Sequence, residues 1–218
     1  MTNYNLETIS ISPFSKKKPR QVIFLCHGYG GDGQDISILA INWQRFLPDA
    51  IFLCPNAPEI CAVNPQGYQW FDLTSEKEEL ILEKSLAAEN QLNVFLDQVL
   101  NHFQLDTKNL ALVGFSQGCM ISIQVGLKKK QEINCLIGYS GKVINQKHLA
   151  ENIHSKPKIL LMHGVNDTIV SPTHLLEAKE YLKNHGLNIK IKMFKNCEHR
   201  IPVEGSSLGL GFLKKNLL

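Results

Sequence analysis

Ser116, Asp167 and His199 are the residues whose types and settings suit nucleophilic acyl transfer. Ser116 is the centre of Gly114-Phe115-Ser116-Gln117-Gly118, which follows the apolar run Leu110-Ala111-Leu112-Val113 and precedes the helix-compatible segment Cys119 to Lys130. A serine placed where a buried strand turns sharply into a helix is held in a strained conformation with its hydroxyl exposed, and glycine two positions to either side permits the crowding. Such a hydroxyl needs a base to take its proton, and the base needs an acid to hold its tautomer and stabilise the imidazolium.

Both partners are expected downstream, each on a loop after a strand. Lys158-Ile159-Leu160-Leu161-Met162-His163 reads as a strand that empties into Gly164-Val165-Asn166-Asp167, which makes Asp167 the acid. Ile189-Lys190-Ile191-Lys192-Met193-Phe194 alternates apolar and basic residues as an edge strand does, and it runs into Asn196-Cys197-Glu198-His199, which makes His199 the base. All three residues then emerge at the carboxyl ends of parallel strands, where open α/β sheets bind ligands. His163 and Glu198 are the rivals for these roles. His163 comes too early on its strand to face Ser116 and is expected to pack or bond within the sheet. Glu198 as acid would have to double back on its sequence neighbour.

Acyl transfer also needs donors for the oxygen that becomes negative, each worth roughly 3 kcal/mol of barrier. One is the backbone N–H of Gln117, at a helix N-terminus. The other should come from a loop after an early strand. Val22-Ile23-Phe24-Leu25-Cys26 is such a strand, and His27-Gly28-Tyr29-Gly30-Gly31-Asp32-Gly33 follows it. The Tyr29 N–H is assigned here, with Gly28 or Gly30 able to serve after a small change of loop path. The same loop has neither the G-x-G-x-x-G nor the G-K-[ST] pattern of nucleotide sites.

Together these stretches, with Pro55-Asn56-Ala57-Pro58 and Gln69-Trp70-Phe71-Asp72, resemble the phospholipase/carboxylesterase family of α/β-hydrolases, which includes acyl-protein thioesterases and bacterial carboxylesterases. The resemblance runs from about residue 20 to the end. It implies a serine hydrolase of carboxylic esters or thioesters, with Ser116, Asp167 and His199 as triad and the Tyr29 and Gln117 amides as oxyanion donors. Cys119 and Arg200 depart from the family pattern, where glycine and a small or acidic residue are more usual.

The 218-residue chain is expected to form one domain, residues 1–218, burying roughly 70 per cent of its unfolded surface. A net charge of +3 with both signs mixed argues against a nucleic-acid partner. The clusters Lys16-Lys17-Lys18-Pro19-Arg20 and Lys128-Lys129-Lys130 read as solvated faces, contact with an acidic membrane surface being the alternative. There is no basic start followed by an apolar stretch at Met1 to Glu7 and no 18-residue apolar run, so no stable membrane insertion is expected and a cytoplasmic location is. Six irregularly spaced cysteines fit reduced buried thiols, and neither a metal nor a cofactor is called for.

Strand and helix signals alternate: a helix near Ile36 to Phe46, a strand Ile51 to Cys54, a long helix Glu76 to Phe103 with a core stripe from Leu92 to Phe103, a strand Ile133 to Ile137, and helices Pro172 to Asn184 and Ser206 to Asn216. This predicts an α/β-hydrolase fold, a mostly parallel sheet with helices on both faces. About twenty residues separate Ile137 from Lys158, too few for a large lid domain, so the site should be open. Acyl-pocket walls are sought in Cys61 to Asp72, with Trp70 as the substrate-binding candidate and Phe71 as core, while Tyr29 faces the leaving group. The substrate is then a small-molecule or lipid acyl ester or thioester, or an acylated protein. Carboxylesterase, thioesterase and lysophospholipase share this machinery. A binding module on the same scaffold would have lost a catalytic residue, and none is lost.

Overall fold

The apolar runs become the strands of one sheet in a computed structural model that describes residues 4–74 and 77–218. The strands are β1 (Thr8–Ile11), β2 (Gln21–Cys26), β3 (Ala50–Pro55), β4 (Glu59–Ile60), β5 (Tyr68–Gln69), β6 (Leu110–Phe115), β7 (Cys135–Tyr139), β8 (Lys158–Gly164) and β9 (Ile189–Phe194). The helices are α1 (Gly33–Trp43), α2 (Glu78–Phe103), α3 (Gln117–Lys128), α4 (Gln146–Ala150), α5 (Thr173–Asn184) and α6 (Val203–Leu217). Seven strands pair in the order β1-β3-β2-β6-β7-β8-β9, all parallel except β1, which runs antiparallel to β3. β4 and β5 form a separate short hairpin.

Because helices cover both faces, β2, β3 and β7 are buried along their whole length, which is why they read as continuous apolar runs. Val22 and Phe24 face the cluster completed by α2, α3, α4 and α5, whereas Ile23 and Leu25 face the one completed by α1 and α6. β9 closes one edge, and only its two end residues are buried, as its apolar/basic alternation requires.

Element boundaries move where a cap or a turn decides them. Asp32 accepts a hydrogen bond from the Asp35 N–H, so α1 begins three residues before its first apolar residue, Ile36. The Asn134 N–H turns back to the carbonyls of Thr107 and Leu110, so β7 starts only at Cys135. α5 stops where Gly186 takes a left-handed conformation, φ +75°. The expected start of α2 at Glu76 lies outside the described residues, as do Met1 to Asn3. The stripe from Leu92 to Leu100 is buried in the core, with Phe103 partly buried against it. Between β7 and β8 there is only one short helix, α4. All six cysteines are unpaired and buried, and burial pushes the thiols of Cys26, Cys119 and Cys135 up to about 12.

Two polar contacts dock the first half of α6 onto β7 and α1. The Tyr139 hydroxyl donates to the Gly205 carbonyl at 3.0 Å, and the Trp43 indole N–H donates to the Ser206 hydroxyl at 3.0 Å. The approach leaves no room at Gly209, where an added Cβ would stand 2.2 Å from the Tyr139 oxygen and 3.3 Å from the Trp43 ring. Gly209→Ala should therefore destabilise the fold by about 1–3 kcal/mol, read as a lower urea midpoint at unchanged m-value.

Candidate active site

β6 delivers Ser116 to the point where α3 begins, and the junction is strained. Ser116 has φ +53° and ψ −117°, a backbone conformation that costs a residue with a Cβ about 1–3 kcal/mol. It is held there by its own N–H, which donates to the Tyr139 carbonyl at 2.8 Å, and by its carbonyl, which accepts from the N–H groups of Cys119 and Met120. The flanking glycines are obligatory: a Cβ on Gly114 would meet the Gly118 carbonyl oxygen at 2.2 Å, and one on Gly118 would meet the Cys26 carbonyl oxygen at 2.1 Å.

The three residues singled out from the sequence come together. His199 Nε2 lies 3.0 Å from Ser116 Oγ, and His199 Nδ1 lies 2.8 Å from Asp167 Oδ2. The loops carrying acid and imidazole are stitched to each other, since the Val165 N–H donates to the Phe194 carbonyl and the Asn166 N–H to that of Cys197, both at 2.9 Å. Asp167 is buried, which by itself would raise its pKa. The hydrogen bond from His199, and those from the N–H groups of Val170 and Ile169 to Oδ1, outweigh burial and hold the carboxyl below the usual carboxylate range. The rival Glu198 is exposed.

His163 is packed at the end of β8, as expected, but its hydrogen bonds go to the loop after the strand and not to the sheet, and one of them reaches the acid. Its Nε2 lies 2.9 Å from the Val170 carbonyl, to which only a protonated nitrogen can donate, and 3.1 Å from Asp167 Oδ2. Burial pushes its pKa down, so the ring is neutral with the proton on Nε2.

The amides assigned to the oxyanion are both unused. Neither the Gln117 N–H, in the first turn of α3, nor the Tyr29 N–H donates to an acceptor among the described residues. The Gly30 N–H, by contrast, is committed to the Tyr68 carbonyl at 2.9 Å, which removes that alternative. Tyr29's aim is set from behind. His27 is buried and its pKa is pushed down by that burial; its Nε2 accepts from the Ala57 N–H at 3.0 Å, so the proton sits on Nδ1 and is donated to the Gly28 carbonyl at 2.7 Å. The Gly31 N–H donates to the same oxygen. In a trans peptide C=O and N–H point in opposite directions, so pinning the Gly28 carbonyl fixes where the Tyr29 N–H points.

Trp70 requires a correction. It does not line a substrate pocket but is fully buried, with its indole N–H donating to the His27 carbonyl at 3.0 Å. Its backbone N–H donates to the Gln117 side-chain oxygen at 2.9 Å, and the Gln117 side-chain nitrogen donates to the Phe71 carbonyl. The Gln117 side chain thus anchors Trp70, which supports the loop bearing Tyr29. Phe71 is buried in the core, as expected. The sequence signal for His27 was a His-Gly pair closing an apolar run, the same pair that occurs at His163-Gly164.

The large cavity beside the triad, about 760 Å³, is lined by His199, Phe115, Gly28 and Tyr29 at one end and extends between α1 and α6. Arg200 is on its lip, its N–H closing a tight turn onto the Glu198 carbonyl at 2.8 Å. Cys119 packs where Gly138 and Gly141 leave space for its sulfur. No helix among the described residues is long and apolar enough to cross a membrane.

Comparison with known proteins agrees with this geometry. The model of the Phospholipase/Carboxylesterase family matches residues 9–217. Acyl-protein thioesterase 1 of Schizosaccharomyces pombe is 30% identical over 217 residues, covering 94% of this chain and 90% of that protein. Esterase YpfH of Escherichia coli is 22% identical over 202 residues, covering 91% and 84%. The crystal structure of esterase PE8 superposes with a TM-score of 0.92 at 31% identity, covering 97% of this chain and 99% of that one. The Bacillus cereus carboxylesterase shares the fold, with a TM-score of 0.77 at 19% identity over 97% and 94% of the two chains.

The two buried neutral histidines make stability depend on pH. Their native pKa values lie below the ordinary 6.5, so their contribution is complete above that value. As pH falls below it the unfolded chain takes up protons that the native state resists, and stability is lost until the lowered native values are reached. The urea midpoint should drop between pH 7.5 and 5.5, and the drop should be smaller in His163→Gln. An unchanged midpoint would show that these rings are not buried in the neutral form.

Proposed function

The chain belongs to the Phospholipase/Carboxylesterase family of α/β-hydrolases and is a serine hydrolase of ester substrates; on that premise we propose that it cleaves carboxylic esters through Ser116, His199 and Asp167. The observation that carries this reading is the unbroken hydrogen-bonded line from Asp167 Oδ2 through the two nitrogens of His199 to Ser116 Oγ.

His199 Nε2 takes the Ser116 proton as Oγ bonds to the acyl carbon. Asp167, kept ionised by its hydrogen bonds, steadies the imidazolium. The carbonyl oxygen, now negative, is received by the unused N–H groups of Tyr29 and Gln117 at the positive end of α3. Collapse of the tetrahedral intermediate breaks the bond to the leaving oxygen, which takes the proton from His199. Water, deprotonated by the same imidazole, then releases the acid and restores Ser116. No step needs a metal or a cofactor.

A thioester would follow the same path, and that second reading is favoured by the likeness to acyl-protein thioesterase 1. Lysophospholipids would use the same site. Residues 1–218 are proposed to form one domain acting in the cytoplasm, where an acylated protein is as available as a small ester.

Wild type should be labelled covalently by a fluorophosphonate, and Ser116→Ala should not be; labelling that survives in Ser116→Ala would place the nucleophile elsewhere. Asp167→Asn should lower kcat on p-nitrophenyl acetate by on the order of a thousandfold or more. A rate within tenfold of wild type would assign the acid role to another group.

A further inference from the structure

The cavity beside His199 continues as a groove between α1 and α6, and its far part plays no role in the chemistry just described. Its walls are mostly apolar, Ile38 and Phe46 coming from α1 and the turn after it and Val203 and Leu210 from α6, with Asp35, Asn42, Ser206 and Ser207 as the polar members on the same two helices. Three of these are conspicuously uncovered, with exposures of 56% for Ile38, 54% for Phe46 and 85% for Val203. Apolar side chains gathered on a concave surface are a binding feature more often than scattered surface leucines or valines are. Along α6, from Val203 to Leu210, the groove runs about 10 Å at roughly 1.5 Å rise per residue.

We propose that this groove takes up the hydrocarbon chain of the substrate's leaving group, the alcohol or thiol portion of the ester, so that the chain is selective for apolar alcohols. The proposal rests on the roles given above to His199 and Tyr29, which form the near end of the groove.

The assignment to the leaving group follows from the directions in which bonds must point. The tetrahedral carbon bears four groups: Ser116 Oγ, the oxyanion, the leaving atom and the acyl chain. The leaving atom must lie on His199 Nε2, which protonates it, and the oxyanion on the Tyr29 and Gln117 amides. The groove is lined by the imidazole and by the four residues that follow it in the chain, Arg200 to Val203, whereas Ser116 and Gln117 do not line it, so it opens on the side of the leaving atom. A substituent entering there is attached to the atom that His199 protonates. The acyl chain is left with the remaining direction from the tetrahedral carbon.

Two ester series separate the possibilities, both followed by acid release in a pH-stat. In one, the acyl part is acetate and the alcohol is lengthened from ethyl to octyl. In the other, the alcohol is ethyl and the acyl part is lengthened from acetate to octanoate. Transfer of each methylene into the groove should raise kcat/KM about two- to fourfold in the alcohol series, with a much flatter response in the acyl series. Ile38→Trp and Val203→Trp, which fill the groove from opposite walls at exposed positions, should each flatten the alcohol slope. A steep slope in the acyl series with a flat alcohol series would overturn the proposal, and so would an alcohol slope that survives both substitutions, while the esterase reading would stand. Wild type that hydrolyses no ester of either series would overturn both.

Discussion

The close approach of two backbones, the first turn of α3 against the end of β2, is the constraint on which the site depends. The carbonyl of Cys26 sits so near Gly118 that no side-chain carbon fits between them. That contact fixes the separation between the loop after β2 and the start of α3, the two places that supply unused amides. It also forces Ser116 into its left-handed conformation, because the chain must leave β6 and enter α3 within a single residue. The strain at Ser116 is repaid by parallel pairing on both sides of β6 and by the burial of α3, every residue of which but the last is buried.

A second linkage runs through side chains. Gln117 holds the backbone of Trp70 and Phe71, Trp70 holds the His27 carbonyl, and the His27 ring holds the Gly28 carbonyl. The two amides proposed to receive the reacting oxygen are therefore parts of one hydrogen-bonded body. A preorganised pair of donors stabilises developing charge because nothing has to reorient during the reaction. In this chain the preorganisation resides in the Gln117 side chain, the Trp70 indole and the His27 ring, which is why a buried tryptophan belongs to the site's architecture.

Much of this was legible in the sequence because acyl transfer dictates residue types and strand ends dictate where they stand. Ser116, Asp167 and His199 could each be found from a few local residues: an apolar run, then a turn, then the functional group. The parallel strands other than β9 were legible for the same reason, their burial on both faces leaving a largely unbroken apolar signature, and β9 was legible from the apolar/basic alternation of an edge. β1 was not, since Thr8 to Ile11 mixes polar and apolar residues and is a strand only by pairing with β3. Trp70 was misread because its partner, the His27 carbonyl, is 43 residues away and belongs to the backbone, which leaves no trace in side-chain pattern. The groove was invisible for a related reason: Ile38 and Val203 share a surface only once α1 and α6 have been laid side by side on the sheet.

The His-Gly pairs at the ends of β2 and β8 do one job with opposite tautomers. His27 keeps its proton on Nδ1 and uses it on the carbonyl of the next residue, Gly28, while Nε2 accepts from Ala57. His163 keeps its proton on Nε2 and directs it across its loop to the Val170 carbonyl, beside Asp167. Each ring sits where a buried strand gives way to a loop that must present one group in one orientation, an amide in the first case and a carboxylate in the second. A neutral imidazole suits such a place because it donates in a fixed plane without bringing a charge into the core. A permanent cation at either position would compete for the very charges the site is built to hold, drawing Asp167 away from His199 on one side and burdening the oxyanion loop with an unpaired buried charge on the other. Burial, by keeping both rings uncharged, is thus what allows them to serve as struts so close to the reacting groups.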